Sequence, residues 1–167
     1  MNYKRMFIPN GIVFLTIVTH NRNKILIDNI EILQQSLINT LRLNRYKIIA
    51  YVIQPDHIHC LIQPECILDY PNIVKSFKYS FTKNVGLVKP TYNKIWQNRY
   101  WEHTIKDEED LHKHLNYIHY NPVKHGYTNN VASWQYSTFN KFVKKGFYEP
   151  DWGTSKDISN IKDMDFE

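Results

Sequence analysis

Residues 47–62 constrain the fold more than any other stretch of this chain. Lys47 to Ile53 is rich in β-branched and aromatic residues, His57 to Ile62 is a second such run, and only Gln54-Pro55-Asp56 separates them. A connection that short, built around proline and aspartate, predicts two strands of one hairpin. Alternate side chains leave a strand on the same face. His57 and His59 therefore share one face, while Ile58, Cys60 and Ile62 take the other, toward a core. Two imidazoles on a rigid strand can hold one metal ion, and a metal so held can polarise a phosphate. Taken alone, the pair reads equally well as two histidines bonded to neighbours and idle. A zinc site using Cys60 or Cys66 fits poorly, because Cys60 points away from His59 and no Cys-x-x-Cys pair closes a tetrahedron.

The remaining pattern alternates strand and helix. Ile12 to Thr19 follows the turn signal Pro9-Asn10-Gly11 and predicts a first strand. Ile30, Leu33, Leu37, Ile38 and Leu41 recur at helical spacing, so 29–44 predicts an amphipathic helix. A second helix is expected to open near Pro71 and to end at about Val85, with Gly86 as its stop. Part of Trp96 to Ile105 reads as a strand. Asp107 is a helix cap, with Glu108, Glu109 and Asp110 in the first turn. That helix is expected to stop at Tyr120 or Asn121, ahead of Pro122. Strand, helix, strand, strand, helix, strand is the split βαβ order of a ferredoxin-like α+β fold with an antiparallel sheet, here followed by a further helix. Past a short helix near residues 137–144, the chain turns polar. The expected organisation is one domain over 1–150 and a polar tail over 151–167, disordered or lying as a surface arm.

Charge bears on the partner. The chain of 167 residues carries a formal net charge of +5 and 14% aromatic residues. A basic, aromatic-rich surface suits a polyanion whose bases can stack, which points toward nucleic acid. Two cysteines make no disulfide framework. The apolar run from Ile12 to Val18 is too short to span a bilayer. A cytoplasmic protein without membrane contact is the expectation.

Two further blocks carry chemistry. In Leu115-Asn116-Tyr117-Ile118-His119-Tyr120-Asn121-Pro122, Tyr117 and Asn121 are four apart and share a helix face, with His114 three residues before the tyrosine. A helix tyrosine is ordinarily a packed aromatic with its hydroxyl bonded. In Trp96-Gln97-Asn98-Arg99-Tyr100-Trp101-Glu102-His103, alternation would place Arg99, Trp101 and His103 on one strand face, suited to phosphate and bases. Trp96 and Trp101 individually also read as core residues.

Together these blocks resemble the REP-associated tyrosine transposases, a branch of the single-tyrosine HUH transposases. The match rests on Gln54-Pro55-Asp56-His57-Ile58-His59, on Trp96 to His103, and on Tyr117-Ile118-His119-Tyr120-Asn121-Pro122-Val123-Lys124-His125-Gly126-Tyr127. Trp134, Ser137 and Pro150-Asp151-Trp152-Gly153 also fit, so the likeness runs from Arg5 to Gly153. The resemblance implies a ferredoxin-like fold whose late helix carries the nucleophile. It implies Tyr117 as that nucleophile, His57 and His59 as metal ligands, and Asn121 in a position where related insertion-sequence enzymes have glutamine. Gln54 stands where methionine is common, which reads as a packing change. The implied reaction is transesterification on single-stranded hairpin DNA through a 5′-phosphotyrosine, with Mg²⁺ or Mn²⁺. His114 and His119 are candidate general bases. Arg99, Trp101, His103, Lys75 and Lys78 are candidate DNA contacts, with Lys83, Lys144 and Lys145 beside them. A homodimer and a monomer both fit the resemblance. Tyr120 is a rival nucleophile. A replication-initiator or relaxase-type nickase, or a DNA-binding protein derived from a transposase, are rival functions.

Overall fold

The computed structural model describes residues 10–92, 94–154, 158, 161 and 163–166. The segment before Asn10, with Arg5 of the resemblance and Pro9 of the expected turn, lies outside the described residues, as do Asp157 and Glu167 of the tail. Four strands, β1 (Val13–Val18), β2 (Tyr46–Ile53), β3 (His57–Pro64) and β4 (Trp101–Thr104), form one sheet in the order β2-β3-β1-β4. The β1–β3, β1–β4 and β2–β3 pairs are all antiparallel. The helices are α1 (Ile30–Leu43), α2 (Tyr70–Val88), α3 (Glu108–Lys124) and the short α4 (Phe139–Lys144). This is the ferredoxin-like order expected of the chain, with α3 added.

Every residue of β1 is buried, because the sheet is covered on both faces. Val13, Leu15 and Ile17 join Ile58 and Ile62 in a core closed by α1 and α2, through Leu33, Ile73, Phe77 and Phe81. Phe14 points the other way, with Ala50, Val52 and Leu61, into a second core closed by α3 and α4, through Leu115, Tyr117, Ile118 and Phe139. Strand alternation thus divides one sheet between two interiors.

Three boundaries depart from expectation. Helix α2 passes Gly86 and ends at Val88, closed by Lys89 N donating to Val85 O at 2.7 Å. An interior glycine costs only about 1 kcal/mol, and packing the buried Val85 outweighs it. Helix α3 runs through Pro122 to Lys124. Proline's missing donor forfeits one bond near the end of the helix. Tyr127 N donates to Pro122 O at 2.9 Å and Gly126 N to Val123 O at 3.0 Å, a terminal turn that Gly126 permits with φ +71°. The consequence is functional, since Asn121 stays helical and stays in line with Tyr117. Strand β4 is shorter than 96–105. Trp96 makes only an isolated bridge to Thr19, packs on Phe77 and Phe81 in the core, and leaves Arg99 in the exposed connection ahead of the strand.

The described part of the tail is no surface arm. Ile158 and Ile161 are buried in the α3 core, and Met164 and Phe166 pack against it. Gly153 turns the chain toward that course with φ +90°, and a Cβ there would lie 2.7 Å from Val131 Cγ2. No helix among the described residues is long and apolar enough to cross a membrane.

Candidate active site

The hairpin places both imidazoles on the face that α3 covers. Val52, His59, Thr16 and Trp101 are register partners in one row across β2, β3, β1 and β4. His57 and His59 are 1% and 0% exposed, with ring centroids 4.7 Å apart. Each ring is held from behind. His57 Nδ1 lies 2.7 Å from Asp56 Oδ1, and His59 Nδ1 lies 2.8 Å from Thr16 Oγ1. Fixing Nδ1 presents Nε2 as the donor atom, the arrangement that orients metal-binding histidines. Burial pushes the Asp56 carboxyl up, but the His57 hydrogen bond and the charges of His57 and Arg22 outweigh it and hold it below the ordinary carboxylate value. Asp56 therefore stays an anion behind His57.

Helix α3 supplies the other half. Asn121, 0% exposed, brings Oδ1 to 3.3 Å from His57 Nε2, and Gln54 Nε2 donates to the same oxygen at 2.7 Å. Gln54 is thus an aiming residue for Asn121, which corrects its reading as a packing change. The Tyr117 ring lies 5.1 Å from that of His59. Lys124, two turns along α3, sits 5.0 Å from the centroid of Tyr117. Tyr120 packs instead on Trp152, 6.4 Å between centroids. The strand of His57 and the helix of Tyr117 meet within one chain.

The donor set passes a test of fit for a divalent cation. Two imidazoles and an amide oxygen converge in a buried space. A proton must sit between His57 Nε2 and Asn121 Oδ1 for them to hydrogen-bond, and a cation can take that place. Asn121 Nδ2 and Gln54 Oε1 are buried with no hydrogen-bond partner among the described residues, so the pair has polar capacity to spare.

The other expected residues divide. Trp101 and His103 do share a face of β4, 5.9 Å apart, and join the site's aromatic wall. Arg99 lies off the strand. Lys75 and Lys78 are on α2, behind the sheet from the histidines. Lys78 is half-buried, donates to Gln97 O at 2.9 Å and covers the Tyr100 ring, and burial lowers its amine to about 8. These contacts do not suit it to gripping phosphate. His119 is turned to the α4 side, with its nitrogens 2.9 Å from Thr138 Oγ1 and 3.2 Å from Tyr148 Oη, and burial lowers it to about 3. With both nitrogens so engaged, the geometry does not support it as a base for Tyr117. His114 stacks on His103 at 4.7 Å and places Nδ1 2.8 Å from Asp110 O. Burial lowers it below the ordinary imidazole value.

Several contributors escaped the sequence. Thr16 is one, a polar residue in an apolar run. Asp110 is another, bridging His103 Nε2 at 2.7 Å and His114 Nδ1 at 3.1 Å. The third is Phe166, whose ring lies 4.8 Å from that of Tyr117 and whose N–H donates to the Tyr117 hydroxyl at 3.3 Å. Tyr117 is 0% exposed, and Phe166 is one of the residues that cover it.

The family model for IS200-like transposases matches residues 9–121. This chain belongs to that family. A REP-associated tyrosine transposase of Escherichia coli strain K12 is 36% identical over 152 residues, covering 90% of this transposase and 89% of that one. A Haemophilus influenzae protein bearing the same family name is 40% identical over 168 residues, covering 94% and 96%. A solved REP-associated tyrosine transposase bound to a REP hairpin superposes with a TM-score of 0.85 at 33% identity, over 99% of this chain and 96% of that one. The transposase is accordingly a DNA-cleaving enzyme whose candidate centre is the meeting of β3 and α3.

Proposed function

We propose that this transposase cuts and rejoins single-stranded DNA beside a hairpin, with Tyr117 as the nucleophile. The observation that carries the reading is the convergence of Tyr117 and Asn121 from α3 on His59 and His57 from β3. The solved relative bound to a REP hairpin supports the choice of substrate. In the reaction, Tyr117 Oη attacks phosphorus and a P–O bond to tyrosine forms as the bond to the 3′ oxygen breaks. The phenol gives up its proton, and the departing 3′ oxygen takes one up. The products are a 5′-phosphotyrosine and a free 3′ hydroxyl. A 3′ hydroxyl from the same or another strand reverses the step. One phosphate ester replaces another, so no ATP is spent.

A divalent cation held by His57, His59 and Asn121 supplies, when bound, neutralisation of the phosphate charge during attack. Two imidazole donors favour Mn²⁺ over Mg²⁺. Asp56 and Thr16 hold the rings, and Gln54 aims the Asn121 amide. Since one chain contributes both halves, a dimer that exchanges α3 is not required. A phenol has a pKa of about 10, so a base must take its proton. Between the two imidazoles named for that role, His114 is the one with a nitrogen, Nε2, that has no partner among the described residues.

The test is incubation with labelled hairpin DNA and Mn²⁺, followed by denaturing gels. A covalent adduct is expected, lost in Tyr117→Phe and lost on chelation. An adduct that survives Tyr117→Phe moves the nucleophile to another residue, Tyr120 first. No adduct on any palindromic repeat of the source genome leaves DNA binding as the function.

A further inference from the structure

Helix α3 carries Tyr117, Asn121 and Lys124 four and then three residues apart, so the three share one face. Lys124 holds its place there because α3 runs through Pro122 to Lys124. Had the helix stopped at Asn121, the lysine would have left that line. Its Nζ lies 5.0 Å from the centroid of the Tyr117 ring. That is inside the range of about 6 Å over which an ammonium and an aromatic face attract.

No carboxylate cancels the charge at that position. Lys113, on the same helix, is paired with Glu109 at 2.8 Å, whereas among the described residues no carboxylate is paired with Lys124. Lys124 Nζ donates to Met164 O at 2.6 Å. An ammonium has three donors, so that bond leaves capacity for a further acceptor. The lysine is half-buried, and a cation partly withdrawn from water acts more strongly on a nearby anion. A phosphate under attack is such an anion, because negative charge spreads over its oxygens in the transition state. A bond from an ammonium to one of those oxygens is charge-assisted at both ends.

We propose that Lys124 is a catalytic residue whose ammonium contacts a non-bridging oxygen of the phosphate that Tyr117 attacks. The proposal rests on the reading of Tyr117 as nucleophile. The bond from Tyr117 Oη to phosphorus forms, the bond to the 3′ oxygen breaks, and Lys124 keeps its proton throughout. Its part is to offset the charge on the oxygens that stay bound to phosphorus. Because nucleophile, amide and ammonium stand on one helix, their spacing is set before DNA arrives. Rejoining passes through the same charged state, so Lys124 serves both directions.

The experiment measures single-turnover adduct formation by the full chain with Mn²⁺, on hairpin DNA whose cleaved linkage has been mapped with the parent enzyme. Lys124→Met and Lys124→Gln should each slow it by about 10²-fold or more, and Lys124→Arg, which keeps the charge, by less than about ten-fold. A second substrate carries a methylphosphonate at the cleaved linkage, where a methyl group replaces one charged oxygen, and its two stereoisomers are tested apart. On at least one of them the neutral variants should come within about ten-fold of the parent, because the charge that Lys124 offsets is gone. The Mn²⁺ concentration for half-maximal adduct should stay unchanged, since Lys124 is no ligand. A lysine with only a structural role would slow both substrates alike. Three results overturn the proposal: equal rates for parent and Lys124→Met, an equal loss on both substrates, or a loss that excess Mn²⁺ restores. If the parent itself forms no adduct, the nucleophile reading fails and the role of Lys124 falls with it. An adduct that Lys124→Met forms at the parent's rate sinks the role of the lysine alone.

Discussion

The two faces of the sheet are made by the same strands and do opposite work. Toward α1 and α2, alternate residues are Leu15, Ile17, Ile58 and Ile62, packed on Ile73, Phe77 and Phe81. That interior is held by apolar burial, which is non-directional and tolerates small rearrangements. Toward α3, the intervening residues include Thr16, His57 and His59, met by Asn121 and backed by Gln54 and Asp56. These buried polar groups depend on their partners, since an unmade bond costs far more than a made one contributes. One face supplies stability and the other stores geometry. Interior polarity therefore marks the candidate site better than surface charge does, and Lys78, engaged on the stabilising face, illustrates the point.

Breaking the geometric face should produce the largest effect. His59→Ala removes a donor and leaves Thr16 without its ring partner. DNA cleavage should fall by about 10³-fold or more, measured as adduct yield, with hairpin binding largely retained. The converse break is Phe81→Ala, a 0% exposed ring on the far face. It should cost about 3–5 kcal/mol of unfolding free energy in denaturant titrations, while the cleavage rate per folded molecule stays near that of the parent. If both variants lose both properties alike, the division between faces is wrong. Gln54→Ala sharpens it further, because the Gln54 side chain donates to Asn121 while its backbone bond to His57 O survives the truncation. Apparent metal affinity should drop by about 10–100-fold, read as the Mn²⁺ concentration for half-maximal adduct, with maximal rate changing less.

The smallest effect is electrostatic. Burial lowers His114 in the fold, and the groups facing it are Asp110 and His103. The unfolded chain takes up the proton first as pH falls, so the stability His114 contributes is present above about pH 6.5 and is lost below it. Asp110 is also lowered, by the His103 bond, the Lys106 N–H and the neighbouring imidazoles acting against burial. Its contribution is lost only in the carboxylate range, at lower pH. Denaturant midpoints should therefore fall from pH 7 to pH 5, where the buried His119, lowered to about 3, acts in the same direction, and His114→Phe should lessen the slope of that interval without removing it.

Elements with a local signature were legible in the sequence. The hairpin needed only two β-branched runs and a proline turn. The cap of α3 needed only Asp107, whose carboxylate accepts from Asp110 N at 2.8 Å. The histidine pair followed from period two, and Tyr117 with Asn121 from period four. What failed involved local rules outweighed by tertiary packing. Pro122 was read as a stop, but a proline close to a helix end forfeits little when the turn is closed by Gly126. Gln54 was read as packing because nothing near it in sequence needs an amide. Its partner is Asn121, on α3. Phe166 sat in a stretch whose acidic composition reads as solvated, and its partners are Thr16, Trp101, His114 and Tyr117.

The chain's own order of residues determined the antiparallel sheet, the face on which the histidines stand and the spacing of the tyrosine helix, because strand and helix periods act over a few neighbours. The folded molecule alone decided that α3 crosses the His57 strand, that Gln54 aims Asn121, and that Phe166 fills an aromatic socket. Those contacts join residues far apart in the chain, and they are selected by which buried polar and aromatic groups can satisfy one another once the backbone has brought them together.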